Sequence, residues 1–170
     1  MAFFETRLFE LLRTHPEAKD RGSGASIEQI ADAQRRLRVS FPEDYVAFLS
    51  KINGVTIGIY DVYGIDRGAG YLDLEAGRVS AAEFLPPVAE GLMLPVVHLI
   101  NGDLMCFGTE EGLSYQADAT PRYGRDLEVY RWSHEYAEEP SLRPFEWRAD
   151  RGETFLDVLT EIGADLHRQD

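Results

Sequence analysis

The sequence has one cysteine, Cys106, which excludes an internal disulfide and every zinc pattern built on several thiolates. It is also poor in positive charge. Seventeen Lys plus Arg stand against 30 Asp plus Glu, and the net charge of -13 repels phosphate backbones and anionic lipid head groups. Neither nucleic acid nor a membrane surface is therefore expected as a direct partner. No apolar run approaches the roughly 20 residues that cross a bilayer. The opening MAFFETRLFELLRTHPE interleaves charges with apolar residues, unlike a signal peptide. With a lone thiol, the reducing cytoplasm is the expected compartment.

Recognisable reaction chemistry is scarce as well. His15, His98, His134 and His167 are far apart, with no pair three or four residues from each other, so they predict no metal site. His98 and Cys106 fall in apolar runs, where a hydrogen-bonded sheet histidine and a small buried thiol are expected. No G-x-S-x-G elbow and no Ser-x-x-Lys pair occurs. The glycines of GIDRGAG, residues 64–70, match neither the dinucleotide fingerprint nor the lysine-bearing phosphate loop. No catalytic residue and no cofactor is predicted.

What is present is a chain of 170 residues, 44% of them hydrophobic, enough to bury about two-thirds of the unfolded surface in one domain over residues 1–170. Phe4, Leu8, Leu11 and Leu12 have helical spacing, which predicts a helix over Phe3 to Leu12. The polar, glycine-bearing stretch from Lys19 to Ala25 reads as a flexible connection. Ser26 and Gln29 form a capping box that opens a helix from Ile27 to about Arg38. Pro42 starts another, with Tyr45, Phe48, Leu49 and Ile52 as its apolar stripe and Asn53-Gly54 as its end.

From Val55 the period shortens to two, and Val55 to Ile65 reads as strand. Val79 to Met93, which contains Pro86-Pro87, mixes helical and extended signals. Leu94 to Ile100 and Asp103 to Phe107 flank Asn101-Gly102, which predicts a hairpin with a two-residue turn. Gly108 to Gly112 reads as a turn, and Leu113 to Ala117 and Leu127 to Trp132 as strands. A closing helix carries Phe155, Leu156, Leu159, Ile162 and Leu166, with Asp150 and Glu153 as its capping pair. Helices, then antiparallel strands, then a helix make an α+β domain.

The charge is regional. Residues 1–58 hold 8 acids and 8 bases, so residues 59–170, with 22 acids and 9 bases, carry the entire excess. Tyrosines and tryptophans crowd the same part of the chain. An acidic surface bearing aromatic rings suits a basic protein partner, charge steering the encounter and rings supplying contact area. The candidate contacts are Asp61, Asp66, Asp73, Glu75, Glu110 and Glu111 for charge, and Tyr63, Tyr71 and Trp132 for area.

The stretch IEQIADAQRRLRVSFPEDYVAFLSKINGV, Ile27 to Val55, resembles the signature of the SUKH superfamily (the Smi/Knr group). The matching residues are Ile27, Glu28, Pro42, Glu43, Tyr45, Phe48, Leu49, Asn53 and Gly54, followed by Gly102-Asp103 before LMCF and by Phe155-Leu156. Where the family often has Leu-Gly ahead of the proline, this chain reads Leu37-Arg38-Val39-Ser40-Phe41. The resemblance implies a non-enzymatic α+β domain that acts as an immunity protein, binding and neutralising a cognate toxin, often a nuclease. The alternative is a regulatory or scaffolding interaction module without a toxin partner. Fifteen arginines against two lysines suit a GC-rich bacterial genome.

Overall fold

A computed structural model describes residues 2–68, 70–91, 93–108, 129–132 and 154–166. Helix α1, Ala2–Thr14, leads into a two-residue strand β1, Ala18–Lys19. Helices α2, Ile27–Leu37, and α3, Glu43–Lys51, follow. A hairpin of β2, Val55–Ile57, and β3, Tyr60–Val62, precedes helices α4, Leu74–Ala82, and α5, Pro86–Ala89. Strands β4, Met93–Leu99, β5, Leu104–Gly108, and β6, Val129–Trp132, and helix α6, Phe155–Leu166, complete the described chain. The six strands form one antiparallel sheet in chain order, so the domain is α+β.

Alternation along the strands splits the core into two layers. Met105 and Phe107 of β5 face a cluster containing α1, α2, α3 and α6, whereas Leu104 and Cys106 face a smaller one with Ala81, Leu85, Val88 and Trp132. Helices α4 and α5 thus cover one face of the sheet over its β4–β6 half, and the remaining helices cover the other. At the centre of the larger cluster Tyr45 is fully buried, and its hydroxyl donates to the Tyr63 carbonyl at 2.9 Å. Burial raises the pKa of that hydroxyl and keeps it a donor.

The capping box is formed as the sequence implies. Gln29 N–H donates to Ser26 Oγ at 3.2 Å, and Ser26 N–H donates to Gln29 Oε1 at 2.8 Å. Helix α2 ends within the segment that departs from the family pattern, at Arg38. This residue closes the helix in the left-handed conformation, φ 54°, at the position where a glycine would sit without strain. Arg38→Gly is expected to raise stability by about 0.5–1 kcal/mol, read as a later urea midpoint, because relieved strain exceeds the added chain entropy of glycine.

Three expectations change. Residues 19–25 are not a slack linker: Ala18 and Lys19 pair with Ile57 and Thr56, Gly22 N–H donates to the Gly54 carbonyl, and Ala25 N–H to the Leu49 carbonyl. The strand predicted to run from Val55 onward turns back at Gly58, φ 56°, with Ile59 exposed at the hairpin tip. The stretch from Val79 to Met93 is indeed part helix and part extended: it holds the end of α4, then α5 and the first residue of β4. The central hairpin closes with three residues rather than two. Gly102 N–H donates to the Leu99 carbonyl, Leu99 N–H donates to the Asp103 carbonyl, and Gly102 alone among the loop residues has positive φ, 96°. At the start of α6, Asp157 N–H donates to Thr154 Oγ1 and Thr154 N–H to Asp157 Oδ2. The expected cap pair Asp150 and Glu153, the turn after Gly108 and the strand Leu113 to Ala117 lie outside the described residues.

Candidate interaction surface

Directly paired residues of neighbouring strands share a face, so the register assembles one row: Lys19, Thr56, Asp61, His98, Leu104 and Trp132. The α4–α5 layer buries Leu104 and Trp132 at one end. At the other end Thr56, Asp61 and His98 are only half-buried, leaving a polar strip of sheet open to solvent. Thr56 Oγ1–H donates to Asp61 at 2.8 Å, and His98 Nδ1 lies 3.9 Å from the other Asp61 oxygen. Tyr71, 59% exposed, overhangs this strip. Its hydroxyl donates to the Asp20 carboxylate, which raises its pKa, and lies 3.5 Å from Thr56 Oγ1.

The candidate acids are largely occupied within the molecule. Arg36 on α2 gathers Asp66 at 2.8 Å, Glu75 at 2.7 Å and Asp32. Glu75 above all, with Asp32 and Asp66, raises the guanidinium pKa, while Arg35 and then Arg36 lower that of Asp32. Each of these side chains is more than a third exposed, so solvent screens every pair and none contributes much alone, but together they join α2, the loop after β3 and α4. Asp73 is the N-cap of α4, accepting from the Glu75 and Ala76 amides at 3.1 Å and from the Arg67 amide at 2.8 Å.

Two of the three rings proposed for contact area belong to the core. Tyr63 is 6% exposed and Trp132 2%, so neither presents a face to a partner in this arrangement. Burial pushes the Tyr63 hydroxyl up to about 12 and, at Cys106, the thiol up to about 12, which leaves the cysteine an inert packing group. Of the nine predicted contacts, Asp61 and Tyr71 both neighbour Thr56 Oγ1 at the open strip; Glu110 and Glu111 lie outside the described residues. Among the described residues no group of three or more His, Cys, Asp or Glu is arranged to hold a metal ion, and no helix is long and apolar enough to cross a membrane.

No charge pattern in the sequence marks the outer face of α4. Ala76, Val79, Ser80 and Glu83 fall at offsets 0, 3, 4 and 7 and are all exposed, Val79 at 67%. Phe84 follows, 50% exposed, with its other face on the Trp132 ring at a centroid distance of 5.5 Å. The exposed carboxylates of Glu83 and Glu90 make no hydrogen bond or ion pair with described residues. The helical spacing is present in the sequence, but which stripe faces solvent is decided by only two inward residues, Leu74 and Ala81, a weak signal.

The family model for the SMI1 / KNR4 family (SUKH-1) matches residues 24–157. Among solved structures, one described as the crystal structure of a protein from Pseudomonas syringae pv. tomato is similar at 16% identity with a TM-score of 0.55. The match spans 75% of this chain and 83% of that one, and it speaks to the fold alone. No curated protein matches.

Proposed function

Because the chain belongs to the SMI1 / KNR4 family (SUKH-1), we propose that it is a non-enzymatic immunity protein of the bacterial cytoplasm that neutralises a cognate toxin by binding it directly. The family match carries this reading. The charge distribution supports a basic partner, since the net charge of -13 falls entirely beyond residue 58. A nuclease grips phosphate with a cationic cleft, and an acidic protein competes for that cleft electrostatically. Of the residues chosen from sequence, Asp61 and Tyr71 are the proposed contacts on the open sheet strip. Glu110 and Glu111 remain proposed contacts on charge.

The test is co-expression with the polypeptide encoded by the adjacent gene, scored by growth and by co-purification. Rescue of growth together with a complex that weakens as salt rises is the expected result. A complex without toxicity of the partner would move the protein to the regulatory or scaffolding class. Absence of both rescue and complex would overturn the reading.

A further inference from the structure

We propose that the partner is anchored on the outer surface of the α4–α5 layer, through Val79 and Phe84, with Glu83 and Glu90 facing cationic side chains of the partner. The proposal rests on the immunity reading and names the surface that serves it. Large apolar side chains that remain exposed on a helix face, rimmed by charge, are what an interface looks like before its partner arrives. Val79 lies on the solvent stripe of α4, where a charged residue would serve solubility better. Phe84 offers one ring face while Trp132 supports the other, so little side-chain entropy remains to be lost on docking.

The occupant follows from charge. Asp66 and Glu75 already face Arg36, and Asp73 already caps a helix, so a partner must compete with existing bonds to use them. Glu83 and Glu90 have no such attachment among the described residues, so their field is available to an approaching cation. Arg78, the one base of α4, lies roughly 150° round the helix from the centre of the exposed stripe at 3.6 residues per turn. The layer also sits on the same face of the sheet as the strip of Thr56, Asp61 and Tyr71, so one partner can span both.

The measurement is binding of a purified, inactivated toxin domain from the adjacent gene to three proteins: wild type, the triple variant Val79→Arg/Glu83→Lys/Glu90→Lys, and Asp66→Asn. The triple variant is expected to bind about 100-fold more weakly and to melt like wild type, because every altered side chain is at the surface. Asp66→Asn, a charge already answered by Arg36, is expected to change affinity less than threefold, an order-of-magnitude figure for a neutralised surface charge. A second pair, Glu83→Gln/Glu90→Gln, should flatten the salt dependence without adding repulsion, and covers the case in which the triple variant folds poorly. If wild type binds and the folded triple variant loses less than about tenfold, or, where that variant does not fold, the glutamine pair leaves the salt dependence unchanged, the surface is wrong and the function stands. If wild type itself does not bind, the functional reading falls and this surface falls with it.

Discussion

Asn53→Ala is expected to lower stability by about 3 kcal/mol, a drop of roughly 6–12 °C in melting temperature for a domain of this size. Asn53 is buried just after α3 in the left-handed region, φ 53°, which asparagine tolerates better than alanine. Its side chain takes the place of a strand partner for the loop after β3: Oδ1 accepts from the Ile65 amide at 2.8 Å, and Nδ2 donates to the Ile65 carbonyl at 3.0 Å. Truncation leaves a donor and an acceptor unpaired in the interior at about 1–3 kcal/mol each, and it adds left-handed strain. Asn53→Gly separates the two effects, since it removes the strain but not the unpaired groups and should recover about 1 kcal/mol. Urea titration of the three proteins measures this. A loss under 1 kcal/mol in the alanine variant would mean that the loop is held by something else.

The loop matters to function because it leads through Asp66, Arg67 and Asp73 into α4. Arg67 donates from its guanidinium to the Asp20 carbonyl at 2.6 Å, and its amide donates to Asp73. Gly54, φ 95°, lets the chain leave the helix beside this loop. The signature residues therefore do two jobs. Asn53 and Gly54 end α3, as their type implies, and Asn53 also sets the position from which α4 departs, which its type does not reveal.

The same division holds across the molecule. Whatever a short window encodes was legible: the Ser26 and Gln29 cap, the stripe of Tyr45, Phe48, Leu49 and Ile52, and the Leu94 to Phe107 hairpin apart from its loop length. Relations over long separations were not. Asp66 and Glu75 read as free surface charge because Arg36 lies 30 and 39 positions away in sequence. Asp73 read as charge because the helix it caps has only Leu74 and Ala81 as buried residues, a stripe too small to register as a period. Trp132 read as an interface ring although β6 turns it under α4–α5. Ile59 kept the alternation of β2 going past the true turn, since exposed isoleucine at a hairpin tip has no local mark. Net charge could therefore suggest a basic partner, but not which carboxylates remain available to meet it.

Phe155→Ala carries the other large effect, about 3–5 kcal/mol, up to roughly half the stability of an ordinary domain. Phe155 is fully buried at the start of α6, where its ring meets Tyr45 at 4.8 Å, Phe48 at 5.4 Å and Phe107 at 6.0 Å, mostly edge to face. The Leu156 amide adds a bond to the Asp44 carboxylate at 2.7 Å, fastening α6 to the first turn of α3. This cluster and the α4–α5 layer lie on opposite faces of the sheet, which makes stability and recognition separable. Phe155→Leu, which fills most of the same space, should cost about 1–2 kcal/mol and leave toxin affinity within twofold while the protein stays folded. The Val79, Glu83 and Glu90 variant should do the reverse, keeping the melting curve and losing the complex. Loss of affinity in folded Phe155→Leu protein, measured well below its melting temperature, would place the recognition surface on the α3–α6 side instead.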